Sequence, residues 1–311
     1  MAQVICTIFD RELAKELGKK ENESDLEFYH RKLGDTLLTF VCPVGFPEKP
    51  GSLLQALHLS NCILLQVREI DSALGETIIA IEALNLKKGF VIFEEGADED
   101  LFWKIAEKSS VKDFEKIEKG EILEKISSVE VVPSSGKTIV DLDAMFKVKG
   151  VGTVALGFVK QGRVEQFQKL RVVPKEAEVL VKTIQKQDKH FKEAEFNERV
   201  GLSIKGFEAD DFYRGLVLTD DEEVSEANEV EIEFKKNEFC KKEIGAGASL
   251  HIQCRMQIVG CRVKSVKPFV IEAGKNMAIK QGSKISLVDL NASPRIIGKG
   301  KVSKIVSKLE A

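Results

Sequence analysis

The stretch from Lys149 to Val164 reads KGVGTVALGFVKQGRV. Short apolar runs broken by Gly150, Gly152, Gly157 and Gly162 have no helical period. They suit strands that turn sharply in a small barrel, where glycine supplies positive φ or lets two backbones come close. The surrounding segments extend the pattern: VEVVPSSGKT and TIVDLDAMFKV before it, then QKLRVVP, EVLVKTIQ and RVGLSIKG after it. Regularly spaced short strands with turn signals predict a β-barrel or sandwich.

Working outward, the chain changes character on both sides. Before Ser128 it alternates between apolar runs (VICTIF, LLTFVCP, CILLQV, GFVIFEE) and stretches of helical period (Asp10 to Lys20, SLLQALHLS, GETIIAIEALNL). Runs of this kind predict buried parallel strands with crossover helices, an α/β domain. DEDLFWKIAEK places Leu101, Phe102, Ile105 and Ala106 on one helical face, and VKDFEKIEKGEILEKI reads as further helix. Beyond the acidic stretch Asp220 to Glu226, read as a solvated linker, a second strand-rich block has turns expected at GAGAS, EAGKN, KQGSK and NASP. The expected fold class is α/β plus all-β, one α/β domain followed by two β-barrels, with domains at 1–127, 128–220 and 221–311.

Composition narrows the class of protein. No apolar run approaches the ~20 residues of a membrane span, and MAQVICTIFD has no basic flank ahead of its apolar stretch, so a cytoplasmic protein is expected. The six cysteines, at 6, 42, 62, 240, 254 and 261, form no C-x-x-C pair and sit among apolar residues, which predicts buried free thiols. His30, His58, His190 and His251 have no partners at metal-ligand spacing, so no metal is expected. The net charge of −3 is small but unevenly spread. Ten acids face four bases from Asp220 to Glu243, and twelve bases face three acids from Arg255 onward. Those bases read either as polar faces of strands or as a positive edge for nucleic acid.

The segment 149–164, together with Arg199-Val200-Gly201-Leu202-Ser203-Ile204-Lys205-Gly206 and Arg214-Gly215-Leu216-Val217-Leu218, resembles the second domain of translational GTPases. The likeness is to the group of elongation factor Tu and the selenocysteine-specific elongation factor. It covers about 80 residues and extends more weakly over the last block. It implies a GTP-binding domain at the front of the chain, whose motifs can be sought singly.

The phosphate loop G-x-x-x-x-G-K-[ST] has Leu13 in place of its first glycine and Lys20 in place of its hydroxyl. Ser135-Gly136-Lys137-Thr138 imitates the motif's end, yet Val131 stands at the first glycine. The family's V-D-C-P-G-H falls on Val41-Cys42-Pro43-Val44-Gly45-Phe46, so Cys42 replaces the metal-binding Asp and Phe46 the His beside the attacking water. The guanine reader N-K-x-D falls on Glu95-Gly96-Ala97-Asp98, where Asp98 is the only remnant; the same Asp also reads as a helix N-cap. The switch-region counterpart, Asp25 to Lys32, has no Thr to hold magnesium, and His30 reads as exposed.

These departures predict a degenerate P-loop-NTPase-like domain, a pseudo-GTPase with no cofactor and no GTP. The resemblance implies partners among tRNA, ribosomal RNA and translation proteins. The family's tRNA-end edge maps to Arg199, Val200, Gly201, Leu202 and Ser203, which are also barrel-strand residues. Phosphate contacts are sought at Arg255, Arg262, Lys264, Lys267, Lys280, Lys284, Arg295, Lys299 and Lys301. Two alternatives stand beside an RNA-binding translation module. One is a regulator competing with a true elongation factor through Phe28, Tyr29, Phe46 and Trp103; the other is a GTP-binding factor with a non-standard site.

Overall fold

The computed structural model describes residues 2–309. By compactness the chain divides into two units. The first runs to Val131 and also contains Lys236–Lys241 and Leu290–Gly298; the second holds Val132–Lys235, Lys242–Asp289 and the chain from Lys299 on. The first barrel and most of the second lie in the second unit, whereas the sequence predicts them as separate domains.

In the first unit the elements are β1 (Ala2–Ile8), α1 (Arg11–Leu17), β2 (Lys19–Lys20), β3 (Glu27–Leu33), β4 (Thr36–Cys42), α2 (Pro50–Leu59), β5 (Cys62–Val67), α3 (Ser72–Ala83), β6 (Gly89–Phe93), α4 (Glu99–Ala106), β7 (Glu115–Lys116) and α5 (Ile122–Ser127). They build one sheet in the order β2-β3-β4-β1-β5-β6-β7. The strands from β4 to β7 are parallel, as continuous runs such as CILLQV require when helices cover both faces. Strands β2 and β3 add an antiparallel edge: β2 holds the end of the stretch Asp10 to Lys20 expected as helix, and β3 the segment expected as the switch counterpart. Val4, Cys6, Ile8, Leu38, Phe40, Leu64, Phe90 and Ile92 form the core on one face with Leu13, Ala14 and Ile126.

Several local expectations need correcting. The run 111–126 is not one helix: it contains a 3-10 turn at Ser110–Asp113, the edge strand β7, a second 3-10 turn at Lys119–Glu121 and only then α5. A glycine at 120 and a charge at nearly every other position leave too few apolar residues for a continuous helical face. On α4, Phe102 and Ala106 are buried but Leu101 and Ile105 are 41% and 39% exposed. Phe102 turns inward because it packs edge-on against Phe93, with ring centroids 5.3 Å apart.

In the second unit the first barrel comprises β8 (Ile139–Val148), β9 (Gly152–Gln161), β10 (Arg163–Glu165), β11 (Lys169–Val173), β12 (Ala177–Lys186), β13 (Lys189–Phe191), β14 (Glu193–Glu195), β15 (Arg199–Lys205) and β16 (Val217–Thr219). The order β11-β16-β8-β9-β15-β12 closes through the β11–β12 pairing, with β10–β14 as a separate ribbon. Gly157 is where backbones meet: a Cβ there would stand 2.4 Å from the Asp141 carbonyl oxygen. The segment VEVVPSSGKT forms no strand before Ile139.

The second barrel is β17 (Ser225–Lys236), β18 (Ser249–Cys254), β19 (Gln257–Val266), β20 (Phe269–Ile279), β21 (Lys284–Val288) and β22 (Ile296–Ser307), closed in the order β17-β20-β19-β18-β21-β22. EAGKN lies inside β20 and is no turn. The acidic stretch before β17 is not a solvated linker either, since Asp221 is 6% exposed and holds Lys280 at 3.2 Å. All six cysteines are buried and unbridged, as expected.

Candidate functional site

In an open parallel sheet, ligands bind beyond the carboxyl ends of the strands, where the connections from one strand diverge to its two sides. Here that strand is β1, flanked by β4 and β5. Phe9, Asp10, Pro43, Phe46, Gln66 and Arg68 are among the residues lining a cavity of about 400 Å³ at this place.

Only Phe9 and Asp10 separate β1 from α1. The Asp10 carboxylate accepts the Leu13 backbone N–H at 2.6 Å, so it caps the helix end that a phosphate would need. Its other oxygen receives Arg68 Nη2 at 2.7 Å, and Arg68 Nε reaches Glu94 at 2.8 Å. The bond from Arg68 lowers the pKa of Glu94, and Arg68 is itself raised, first by its bond to Glu94. This chain of charges joins the carboxyl ends of β1, β5 and β6. The motif fragment Gly18-Lys19 lies beyond the far end of α1, and Leu13 is buried within that helix. A glycine and lysine placed there cannot wrap phosphates at the helix N-terminus.

Next to it, Glu27 on β3 is 2% exposed. Arg11 grips it with two bonds of 2.8 and 2.6 Å, Lys20 Nζ lies at 2.8 Å, and the Tyr29 hydroxyl donates at 2.6 Å. Burial alone would raise the Glu27 carboxyl, but these donors bring it down to about 2. Burial, and then the bond to Glu27, pushes Tyr29 up to about 12. Cys42 is also pushed up to about 12, first by burial and then by the Glu27 and Asp10 carboxylates. It is a neutral thiol and offers no hard oxygen ligand to magnesium.

Phe46 is half-buried with its ring 5.9 Å from the Arg295 guanidinium, which itself makes bonds of 2.9 and 3.0 Å to Glu76 within the first unit. Asp98 caps α4 through Leu101 N–H at 2.9 Å. His30 is not exposed: it bonds Glu21 and the Thr39 hydroxyl. Phe28 and Tyr29 are 1% and 0% exposed, which removes them as docking anchors, because β3 is a sheet strand and not a surface loop.

The tRNA-edge residues share β15 but turn mostly inward. Val200, Leu202 and Ser203 are buried, and Arg199 is held by Asp143 at 2.8 Å with both side chains under 10% exposed. The nine bases of the last block divide. Arg255 bonds the buried Asp141 at 2.7 Å, Lys264 pairs with Glu229, Lys280 with Asp221, and Arg295 with Glu76. Arg262, Lys267, Lys284 and Lys301 are exposed, and Lys299 is half-buried. Ser135-Gly136-Lys137-Thr138 leads into β8, not a helix, and Thr138 N–H bonds Asp220 at 2.7 Å. Among the described residues no three His, Cys, Asp or Glu side chains gather to hold a metal, and no helix is long and apolar enough to cross a membrane.

No family model matches the chain. It is 34% identical over 295 residues to the uncharacterized protein MJ0325 of Methanocaldococcus jannaschii, covering 93% of this chain and 96% of that one. It is 30% identical over 189 residues to the selenocysteine-specific elongation factor of the same organism, 52% of this chain and 40% of that protein. The fold matches translation elongation factor SelB from Methanococcus maripaludis, solved with the GTP analogue GppNHp, at a TM-score of 0.86 and 19% identity, over 99% of this chain and 80% of that one.

Proposed function

The chain belongs to one family with protein MJ0325 and is an elongation-factor-like relative of the translational GTPases; from that premise we propose a non-catalytic translation factor that binds RNA and does not cycle nucleotide. The observation that carries this reading is Asp10. Its carboxylate sits on the helix end that would receive a phosphate, and Arg68 is bound to it. A triphosphate would have to displace that carboxylate and would meet its repulsion. Cys42 and Phe46 at the catalytic turn supply neither a magnesium ligand nor a group to orient water. The partners proposed are tRNA or ribosomal RNA, in the cytoplasm.

Calorimetry with GTP and magnesium tests the reading: no heat of binding is expected, and micromolar affinity overturns it. Co-sedimentation with ribosomes over a salt series tests the RNA half, where binding should fall steeply as salt rises.

A further inference from the structure

Phe167 is 69% exposed and has φ +69, the left-handed conformation that a bulky L residue adopts only at a cost. The turn between β10 and β11 would be met at lower energy by glycine, and the phenyl ring buries little in return. The backbone around it is fixed, with Phe167 N–H to Val181 C=O at 2.7 Å and Gln166 N–H to Lys192 C=O at 2.8 Å. The second bond brings the β13–β14 junction alongside, so exposed Phe191, at 42%, is the residue just before the bonded Lys192. Lys186 Nζ lies 4.1 Å from the Phe191 ring centroid.

The strand β12 and its hairpin are basic. Between positions 182 and 192 stand Lys182, Lys186, Lys189 and Lys192 against the single acid Asp188. Lys186 is bound to Glu198, while Lys182, Lys189 and Lys192 are exposed and make no ion pair among the described residues. The nearby acids Glu165 and Glu193 are held by Arg163 at 2.7 and 3.7 Å. The hairpin tip is set by Gln187 and Asp188, both at positive φ, as a tight two-residue turn requires.

We propose that Phe167 and Phe191, flanked by Lys182, Lys189 and Lys192, form a platform for single-stranded RNA. Bases stack on the two rings and the ammonium groups meet the backbone phosphates. Stacking tolerates any base, since each has a π-face, and the charges supply a contact independent of sequence. This surface rests on the RNA-binding reading above; it is built on β12, which pairs with β15, but it uses none of the β15 residues and none of the bases of the last barrel. It also gives the strained Phe167 a role that folding does not.

The test is fluorescence anisotropy with labelled oligouridylate at low salt, comparing the full chain with Phe167→Gly, Phe191→Ala and the triple variant Lys182→Gln, Lys189→Gln, Lys192→Gln. Each phenylalanine change should weaken binding roughly 5-fold or more. The triple variant should flatten the salt dependence by about 0.7 in slope per lysine. Phe167→Gly should melt no lower than the parent, which separates lost binding from lost fold. A duplex of the same length should compete poorly. If the parent binds and the phenylalanine variants bind equally well, or if duplex competes equally, the platform is overturned while RNA binding stands. If the parent binds no RNA at low salt, both fall.

Discussion

The turn from β1 into α1 and the pairing of β8 with β9 set different demands on their residues. In the first the sheet and helix form although Leu13 and Lys20 do not meet the G-x-x-x-x-G-K-[ST] pattern, and Asp10 caps the helix. In the second the sequence pattern itself persists, because Gly157 answers to a backbone 2.4 Å from where its Cβ would be. An α/β sheet asks of its strands only that they be apolar, so polar groups at the strand ends can change without loss of fold. A small closed barrel asks for particular residues at particular points. The sequence resemblance is therefore carried by the barrel and not by the β1–α1 turn, although the fold match covers 99% of the chain.

The largest test of that contrast is Gly157→Ala. The new methyl meets backbone, which cannot swing aside, so β8 and β9 must separate at their centre. A loss of about 3 kcal/mol or more is expected, measured by urea unfolding, with the first barrel's tryptic sites exposed. Little loss would mean that the glycine pattern is inheritance without necessity. Next comes Asp141→Ala in the second unit, which leaves Arg255 without its buried partner at a cost of about 3 kcal/mol, read from the same titration. Asp141→Leu with Arg255→Met should recover much of it, since the pair's burial is itself costly.

Glu27 gives the first unit a pH signature on the acid side. Glu27 has a folded pKa lowered from 4.5 to about 2, so its contribution to stability is complete above pH 4.5 and is lost as pH falls toward 2. Glu27→Gln should lower stability at neutral pH by about 1 to 2 kcal/mol, discounted because Arg11 is half exposed, and should flatten the melting temperature between pH 4.5 and 2. An unchanged slope would show that other carboxylates govern acid unfolding.

The same contrast explains what could be read from sequence. The barrels were legible from glycine spacing, and β1, β4, β5 and β6 from their apolar runs. Strand β7 was not, because Glu115 and Lys116 are exposed and charged and join the sheet through backbone pairing. Strand β3 was missed because Phe28 and Tyr29, set among Asp, Glu, His, Arg and Lys, read as surface until β4 is known to lie beside them. At the candidate site the absent motifs were visible, but the ion pairs that replace them were not. Arg68 finds Asp10 only once β1 and β5 are neighbours, and Arg295 lies 219 residues from Glu76. Charge pairing at such range leaves no periodicity to detect. Only the N-cap at Asp10, ahead of RELAKEL, was there to be read.

The smallest expected effect bears most directly on the proposed absence of nucleotide binding. Asp10→Ala removes the cap of α1 and leaves Arg68 bound to Glu94 alone, at a cost of about 1 kcal/mol by urea unfolding. If the carboxylate alone excluded phosphate, this variant would bind GTP, since a cation now faces an open helix end. Yet the turn between β1 and α1 is only Phe9 and residue 10, too short to wrap a triphosphate, and Gly18 and Lys19 remain at the far end of the helix. The expected result is a modest loss of stability and no GTP binding in calorimetry. Binding by the variant would place the block in one side chain. Its absence would place the block in the length and path of the backbone, which no single substitution alters.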